Sequence, residues 1–178
     1  MTARRFVLID RDGTINVEKH YLSDPDQLVL IPGAGPALKR LQDAGFGLAV
    51  ITNQSGIARG YFDLDRLDAI HGRLRQLLAA EGVGVDGIYI CPHGPDDDCN
   101  CRKPLPGMAE QAMAEHGFDP KLSTMIGDKE VDVQMGKAIG ATTFLVRTGH
   151  GETYAATSTA DYVVADLSAA VDVILAAG

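Results

Sequence analysis

The sequence predicts an α/β chain built on a mostly parallel sheet with helices on both faces, and three observations carry that prediction. Short apolar runs alternate with amphipathic stretches along the whole chain, the pattern of repeated βα units. The strand-like segments at 6–9 and 123–126 are short and show no apolar–polar alternation, as strands buried on both faces do not. Polar clusters stand just behind the apolar runs, at 10–14, 52–56 and 127–129, where an open parallel sheet presents its ligands.

Taken in order, Phe6-Val7-Leu8-Ile9 reads as the first buried strand. Ala34, Ala37, Leu38 and Leu41 make a helical stripe that stops at Gly45, and 46–51 is the second strand. The clearest helix comes next. Leu64, Leu67, Ile70, Leu74, Leu77 and Leu78 recur at helical spacing between Asp63, a residue suited to an N-cap, and the breaker Gly82. His71 lies beside that stripe and reads as a packing or boundary residue. Beyond it, 85–91 is a third strand, 107–116 a third helix, 123–126 a fourth strand and 131–139 a helix. Strands at 142–146 and 162–164 and a closing helix at 167–176 complete the alternation. Gly136 and Gly140 read as a close helix contact and a turn. Pro and Gly are scattered rather than gathered into a linker, so the 178 residues predict a single domain over 1–178.

A formal charge of -8 excludes nucleic acid held by the overall field and directs attention to the few basic residues in loops. No apolar run approaches the length of a membrane span, and residues 1–5 lead straight into the first strand without a signal sequence. The expectation is a soluble, cytoplasmic protein with no membrane partner.

Chemistry enters after the first strand. Asp10-Arg11-Asp12-Gly13-Thr14 spaces two carboxylates by one residue and follows them with a glycine that permits a sharp turn. Such a segment alone is as readily an ordinary acidic turn. Behind a buried strand, Asp10 suits a nucleophile for phosphoryl transfer and Asp12 an acid that protonates the leaving oxygen. Thr52-Asn53-Gln54-Ser55-Gly56 offers hydroxyls, amides and backbone N–H groups to phosphate oxygens, or simply a turn. Asp128, in Gly127-Asp128-Lys129, either caps the next helix or joins Asp10 and a backbone carbonyl in an oxygen-rich Mg2+ site. Lys103 is the cation expected to hold the transferred phosphoryl group, and Arg102 could clamp another part of the substrate.

Cys91, His93, Cys99 and Cys101 fall within one short stretch. Three sulfurs and one imidazole match a closed structural Zn2+ site that would hold Arg102 and Lys103 in place; a disulfide between two of the cysteines is the alternative and would leave His93 unexplained.

Together these clusters resemble the haloacid dehalogenase (HAD) superfamily of phosphatases over nearly the whole chain, with a Rossmann-like core. Within it the sequence is similar to the D-glycero-D-manno-heptose 1,7-bisphosphate 7-phosphatase family, small members without a large cap domain. The phrases that carry the likeness are 10–17 (DRDGTINV), 52–60 (TNQSGIARG), 101–108 (CRKPLPGM) and 145–149 (LVRTG). The resemblance implies that Asp10, Asp12, Thr52 and Lys103 are catalytic, and that Asp10, Asp128 and the Asp12 carbonyl hold Mg2+. It implies a substrate pocket lined by Glu18, Lys19, His20, Tyr21, Thr52, Asn53, Gln54 and Ser55, with Arg102 recognising the sugar, Lys103 steadying the phosphoryl group and Lys129 binding phosphate. The partner expected is a small phosphorylated sugar, handled by a monomer. The loop 94–98 is shorter than in some members and is similar to the histidinol-phosphate phosphatases, which share the zinc cluster, so histidinol phosphate is the alternative substrate. A reading of another class, a zinc-stapled interaction module without activity, conflicts with the intact set Asp10, Asp12, Thr52, Lys103 and Asp128.

Overall fold

The computed structural model describes residues 4–178; of the leader-free start expected at 1–5, residues 1–3 lie outside the described part. Six strands, β1 (Phe6–Ile9), β2 (Gly47–Asn53), β3 (Gly87–Cys91), β4 (Thr124–Gly127), β5 (Thr142–Val146) and β6 (Tyr162–Val164), form one sheet in the order β3-β2-β1-β4-β5-β6. Every neighbouring pair is parallel. The helices are α1 (Ala34–Asp43), α2 (Leu64–Ala80), α3 (Gly107–His116), α4 (Glu130–Ile139), the short α5 (Gly151–Tyr154) and α6 (Leu167–Ala176).

Alternation along the strands divides the core in two. Val7 and Ile9 of β1 pack with Leu38, Leu41, Ile70, Leu74 and Val171 on the side of α1, α2 and α6. Phe6 and Leu8 face the other way, onto Met108, Ala109, Ala112 and Met135 of α3 and α4. With both faces covered, β1 is buried at all four positions, which is why its sequence is a continuous apolar run. Burying each such side chain contributes roughly 1.5–3 kcal/mol relative to leaving it in water.

Several boundaries differ from the expected ones for visible reasons. β2 runs on through Thr52 and Asn53 because Ile90 and Cys91 of β3 supply ladder partners for them. β3 starts two residues later than expected, since the Asp86 carboxylate takes the Leu48 N–H at 2.9 Å. In α2 the Asp63 carboxylate caps the Arg66 N–H at 2.8 Å, but Leu64, the first member of the expected stripe, is half exposed; Leu67, Ile70, His71, Leu74 and Leu78 make the buried face. Gly136 sits where α4 touches β4 and β5, and an added Cβ would lie 2.7 Å from Met125 Cβ and Thr143 Cγ2. Gly140 ends that helix in a left-handed conformation.

The chain builds β1, β2 and β3 outward in one direction, then returns to place β4 on the other side of β1. A crevice opens at that reversal, beyond the carboxyl ends of β1 and β4. The connections that rise over it, 10–33, 54–63 and 92–106, carry no element longer than the 3-10 turn Pro25–Gln27, so no large cap domain covers the sheet among the described residues. Among the same residues, no helix is long and apolar enough to cross a membrane.

Candidate active site

The crevice holds a cavity of about 400 Å3 lined by Asp10, Asp12, Thr52, Asn53, Gln54, Ser55, Arg102, Lys103 and Lys129, with Glu18, His20 and Tyr21 on its wall. Lys19, expected beside them, is exposed and is not among the lining residues.

Asp10 is fixed by the sheet itself. Its N–H donates to Ile126 O at 2.9 Å, extending the β1–β4 ladder by one bond. Its carboxylate Oδ1 accepts from Lys103 Nζ at 2.8 Å. The same ammonium donates to Ile51 O at 2.8 Å and pairs with Asp132 Oδ1 at 2.6 Å. Burial pushes the lysine pKa down, but Asp10 and Asp132 outweigh it and hold Lys103 above its ordinary range. A buried ammonium that stays charged in this way is held against two carboxylates, ready to meet an incoming anion.

Asp128 stands at the end of β4. One oxygen accepts the His150 N–H at 2.8 Å, while Oδ1 is buried with no hydrogen-bond partner. Gly13 and Gly149 press their backbones against this carboxylate so closely that a side chain at either would overlap it, and both adopt positive φ, 84° and 56°. Thr148 ties the two turns together by donating to Gly13 O at 2.7 Å, which accounts for the Arg147-Thr148-Gly149 phrase. Carboxylate oxygens of Asp10, Asp128 and Asp132 lie within 4.8 Å of one another. Burial first, then the neighbouring Asp10 and Asp132, pushes Asp128 up to about 9. One lysine does not neutralise three buried carboxyls.

Asp12 is held differently. Its carboxylate accepts from Arg11 Nε at 3.2 Å and Arg11 Nη2 at 2.8 and 3.0 Å, from Asn16 Nδ2 at 2.9 Å and from Gln54 Nε2 at 3.0 Å. Burial raises its pKa, but Arg11 and the hydrogen bonds from Asn16 and Gln54 more than offset this and keep it below the usual carboxylate value. Gln54 also donates to Thr52 Oγ1 at 2.8 Å, leaving the threonine hydroxyl proton free to point into the cavity. Asn53 serves the loop: its amide brackets Lys103, accepting from Lys103 N at 2.9 Å and donating to Lys103 O at 3.3 Å.

On the wall, His20 and Tyr21 both have left-handed backbones, φ 45° and 62°, a conformation non-glycine residues seldom adopt. The Glu18 side chain takes the His20 N–H at 2.8 Å and faces His150 Nε2 at 3.6 Å. Arg59 lies over the Tyr21 ring, 5.6 Å from its centroid.

Beside the crevice, Cys91 at the end of β3 meets His93, Cys99 and Cys101, with ligand atoms all within 4.8 Å of one another. Cys91 Sγ is 3.5 Å from His93 Nδ1, 3.9 Å from Cys99 Sγ and 2.8 Å from Cys101 Sγ; His93 Nδ1 is 3.3 Å from Cys101 Sγ. The three cysteines are free, so the disulfide alternative is not formed. Burial and the Cys101 hydrogen bond push the Cys91 thiol up to about 12. Arg102 Nη1 donates to His93 O at 3.2 Å, joining the cluster to the pocket.

Asp132, Arg59, Tyr154 and the Arg11–His71 contact belong to the site or its support without having been expected there. Asp132 stands in the first turn of α4, where its carboxylate also takes the Lys129 N–H at 3.0 Å, and an acidic residue at that place reads first as a helix cap. His150 lines the cavity, whereas Glu152 is exposed and pairs with Arg147 at 2.9 Å.

Residues 100–170 match the HAD-hydrolase-like family. The chain is 45% identical over 150 residues to the D-glycero-beta-D-manno-heptose-1,7-bisphosphate 7-phosphatase of Pseudomonas aeruginosa, covering 84% of each chain. It is 41% identical over 172 residues to the enzyme of the same name from Pasteurella multocida, covering 93% of this chain and 94% of that one. Its fold is similar to the crystal structure of D,D-heptose 1,7-bisphosphate phosphatase from B. bronchiseptica complexed with magnesium and phosphate, at a TM-score of 0.92 and 37% identity, covering 98% of this chain and 99% of that one.

Proposed function

The chain belongs to the D-glycero-D-manno-heptose 1,7-bisphosphate 7-phosphatase family of HAD phosphatases, and from that premise we propose that it hydrolyses the 7-phosphate of the heptose bisphosphate. The product is heptose 1-phosphate, the form required for nucleotide activation on the way to surface polysaccharide. The observation that carries the reading is the Asp10 carboxylate at the cavity floor, ion-paired to the buried Lys103 at 2.8 Å.

Asp10 attacks phosphorus, the bond to the sugar oxygen breaks, and Asp12 delivers a proton to that oxygen as it leaves. Asp12 then takes a proton from the water that cleaves the aspartyl-phosphate, and Asp10 is restored. Lys103 and the Thr52 hydroxyl hold the phosphoryl oxygens while charge builds on them. Lys129 adds a second positive charge at the phosphate, and Arg102 grips the sugar with its planar fork. Asp12 is ionised in the free protein, so it must first acquire a proton, which the arriving phosphate monoester can bring.

The carboxylate cluster fits Mg2+: Asp128 Oδ1 is buried without a partner, and the one ammonium among the three carboxyls is paired with Asp10 and Asp132. Asp10, Asp128 and the Asp12 carbonyl would hold the ion, with Asp132 kept on Lys103. When bound, Mg2+ offsets the repulsion between the carboxylate nucleophile and an anionic phosphate. The cysteine cluster fits Zn2+ in a structural role, since three sulfurs and one imidazole nitrogen gathered within 4.8 Å are the donor set of a closed tetrahedral site and a buried thiolate at Cys91 requires a cation beside it.

The test is kcat/KM on both anomers of heptose 1,7-bisphosphate and on histidinol phosphate, with Mg2+ present. A preference for a heptose bisphosphate is expected. A preference for histidinol phosphate would transfer the assignment to that substrate, and no Mg2+-dependent turnover of any of them would leave a zinc-stapled module.

A further inference from the structure

We infer that His71 is a positioning residue for the reaction: as a buried hydrogen-bond acceptor on α2 it fixes the Arg11 guanidinium, and Arg11 in turn sets the Asp12 carboxylate at the mouth of the site. This rests on the reading of Asp12 as the acid–base group. Arg11 is wholly buried, next in sequence to the nucleophile, and is not among the residues that line the cavity. Its three nitrogens are all engaged. Nε and Nη2 fork Asp12, and Nη1 lies 3.0 Å from His71 Nε2.

A guanidinium can only donate, so His71 Nε2 must accept, and the ring carries its single proton on Nδ1. The groups facing His71 agree with that state. Burial, then Arg11, push its pKa down to about 3; Asp12 pulls the other way and Arg75 adds to the depression. Without this acceptor, Arg11 keeps one buried nitrogen unpartnered, and its fork has no fixed plane in which to present two donors to Asp12. Asn16 and Gln54 would still reach the carboxylate, one oxygen each. The orientation of Asp12 would therefore loosen while the site remained assembled.

The chemistry supplies a selective readout. In the first step the Asp10 oxygen–phosphorus bond forms, the phosphorus–leaving oxygen bond breaks, and the Asp12 proton goes to the leaving oxygen. A sugar alkoxide needs that proton, whereas p-nitrophenolate leaves without it. Because kcat/KM covers steps only up to departure of the leaving group, it isolates this requirement from the later hydrolysis.

The experiment measures kcat/KM for heptose 1,7-bisphosphate and for p-nitrophenyl phosphate in the wild type, His71→Leu, His71→Gln and Asp12→Asn. His71→Leu should lose about 30-fold or more on the sugar phosphate, part of the roughly 100-fold or larger effect of a general acid, and change little on p-nitrophenyl phosphate. His71→Gln, whose side-chain oxygen can accept from Arg11 near the Nε2 position, should recover most of the loss. Equal losses on both substrates, no loss, a gain in rate, or a Gln variant as poor as Leu would each overturn the inference. Should His71→Leu not fold, 15N shifts of the wild-type ring still decide it: a neutral Nδ1–H imidazole at about pH 6 is required, and a protonated ring or an Nε2–H tautomer overturns it. Asp12→Asn separates the two levels. If Asp12→Asn also fails to discriminate the substrates, the acid–base reading falls and this inference with it; if it discriminates and His71→Leu does not, the role of His71 alone falls.

Discussion

Lys103 brings a full positive charge into the crevice at almost no exposure, held by Asp10, Asp132 and the Ile51 carbonyl. In so dry a place its attraction for a developing negative charge is weakly screened. Lys103→Ala should therefore lower kcat by about 100-fold or more, equivalent to about 3 kcal/mol of lost transition-state stabilisation. Arg102, tied to His93 O, should behave differently. Arg102→Ala should penalise heptose bisphosphate much more than a small generic phosphomonoester, and equal losses in kcat/KM on both would contradict its assignment to the sugar. Asp10, Asp128 and Lys103 were legible because each lies just behind a strand or in a marked loop, and the ends of parallel strands converge. Asp132 and His71 were not. Both sit inside helices, where a lone polar residue looks like part of a solvated or packing face until the neighbouring elements are in place.

Among the elements, strands and helices were legible from periodicity, whereas their ends depended on partners remote in sequence. β2 extends to Asn53 because β3 is there to pair with it, and β3 shortens because Asp86 occupies the ladder position. The short α5 carries no apolar period and gave no signal. Gly136 was legible as a close contact, and the contact has a cost that can be measured. Gly136→Val would drive a side chain into Met125 and Thr143 at the α4–β4–β5 junction, and a β-branched residue recovers little in helix propensity. Chemical denaturation should show a loss of about 2 kcal/mol or more; unchanged stability would mean that α4 can lift from the sheet. The cysteine loop makes a second prediction at this scale. Cys99→Ser should lower bound zinc below one per chain by elemental analysis and raise KM while lowering kcat, because the loop carries Arg102 and Lys103. The sheet should persist by circular dichroism, since most of its core contacts lie elsewhere. Full activity without zinc would defeat the staple, and global unfolding would extend its reach to the whole core.

Across the whole molecule, one topological fact organises the site. The reversal of strand order beside β1 places Asp10 and Asp128 at adjacent strand ends, and the end of β2 and the loop after β3 bring Thr52 and Lys103 over them from one side. That convergence could be read from the order of strands and polar clusters, but the depth of the cavity and the identity of its walls could not, because they depend on loop backbones such as the left-handed pair His20 and Tyr21. In the proposed reaction this assembly makes Asp10 the nucleophile, and covalent trapping examines that role at the residue itself. The protein is mixed with heptose 1,7-bisphosphate and Mg2+, quenched in acid within the first turnover, reduced with borohydride and mapped by mass spectrometry. Reduction at position 10, absent without substrate and absent in an inactive Asp10→Asn variant, is the expected result; reduction at another carboxylate, or normal turnover by Asp10→Asn, would contradict it.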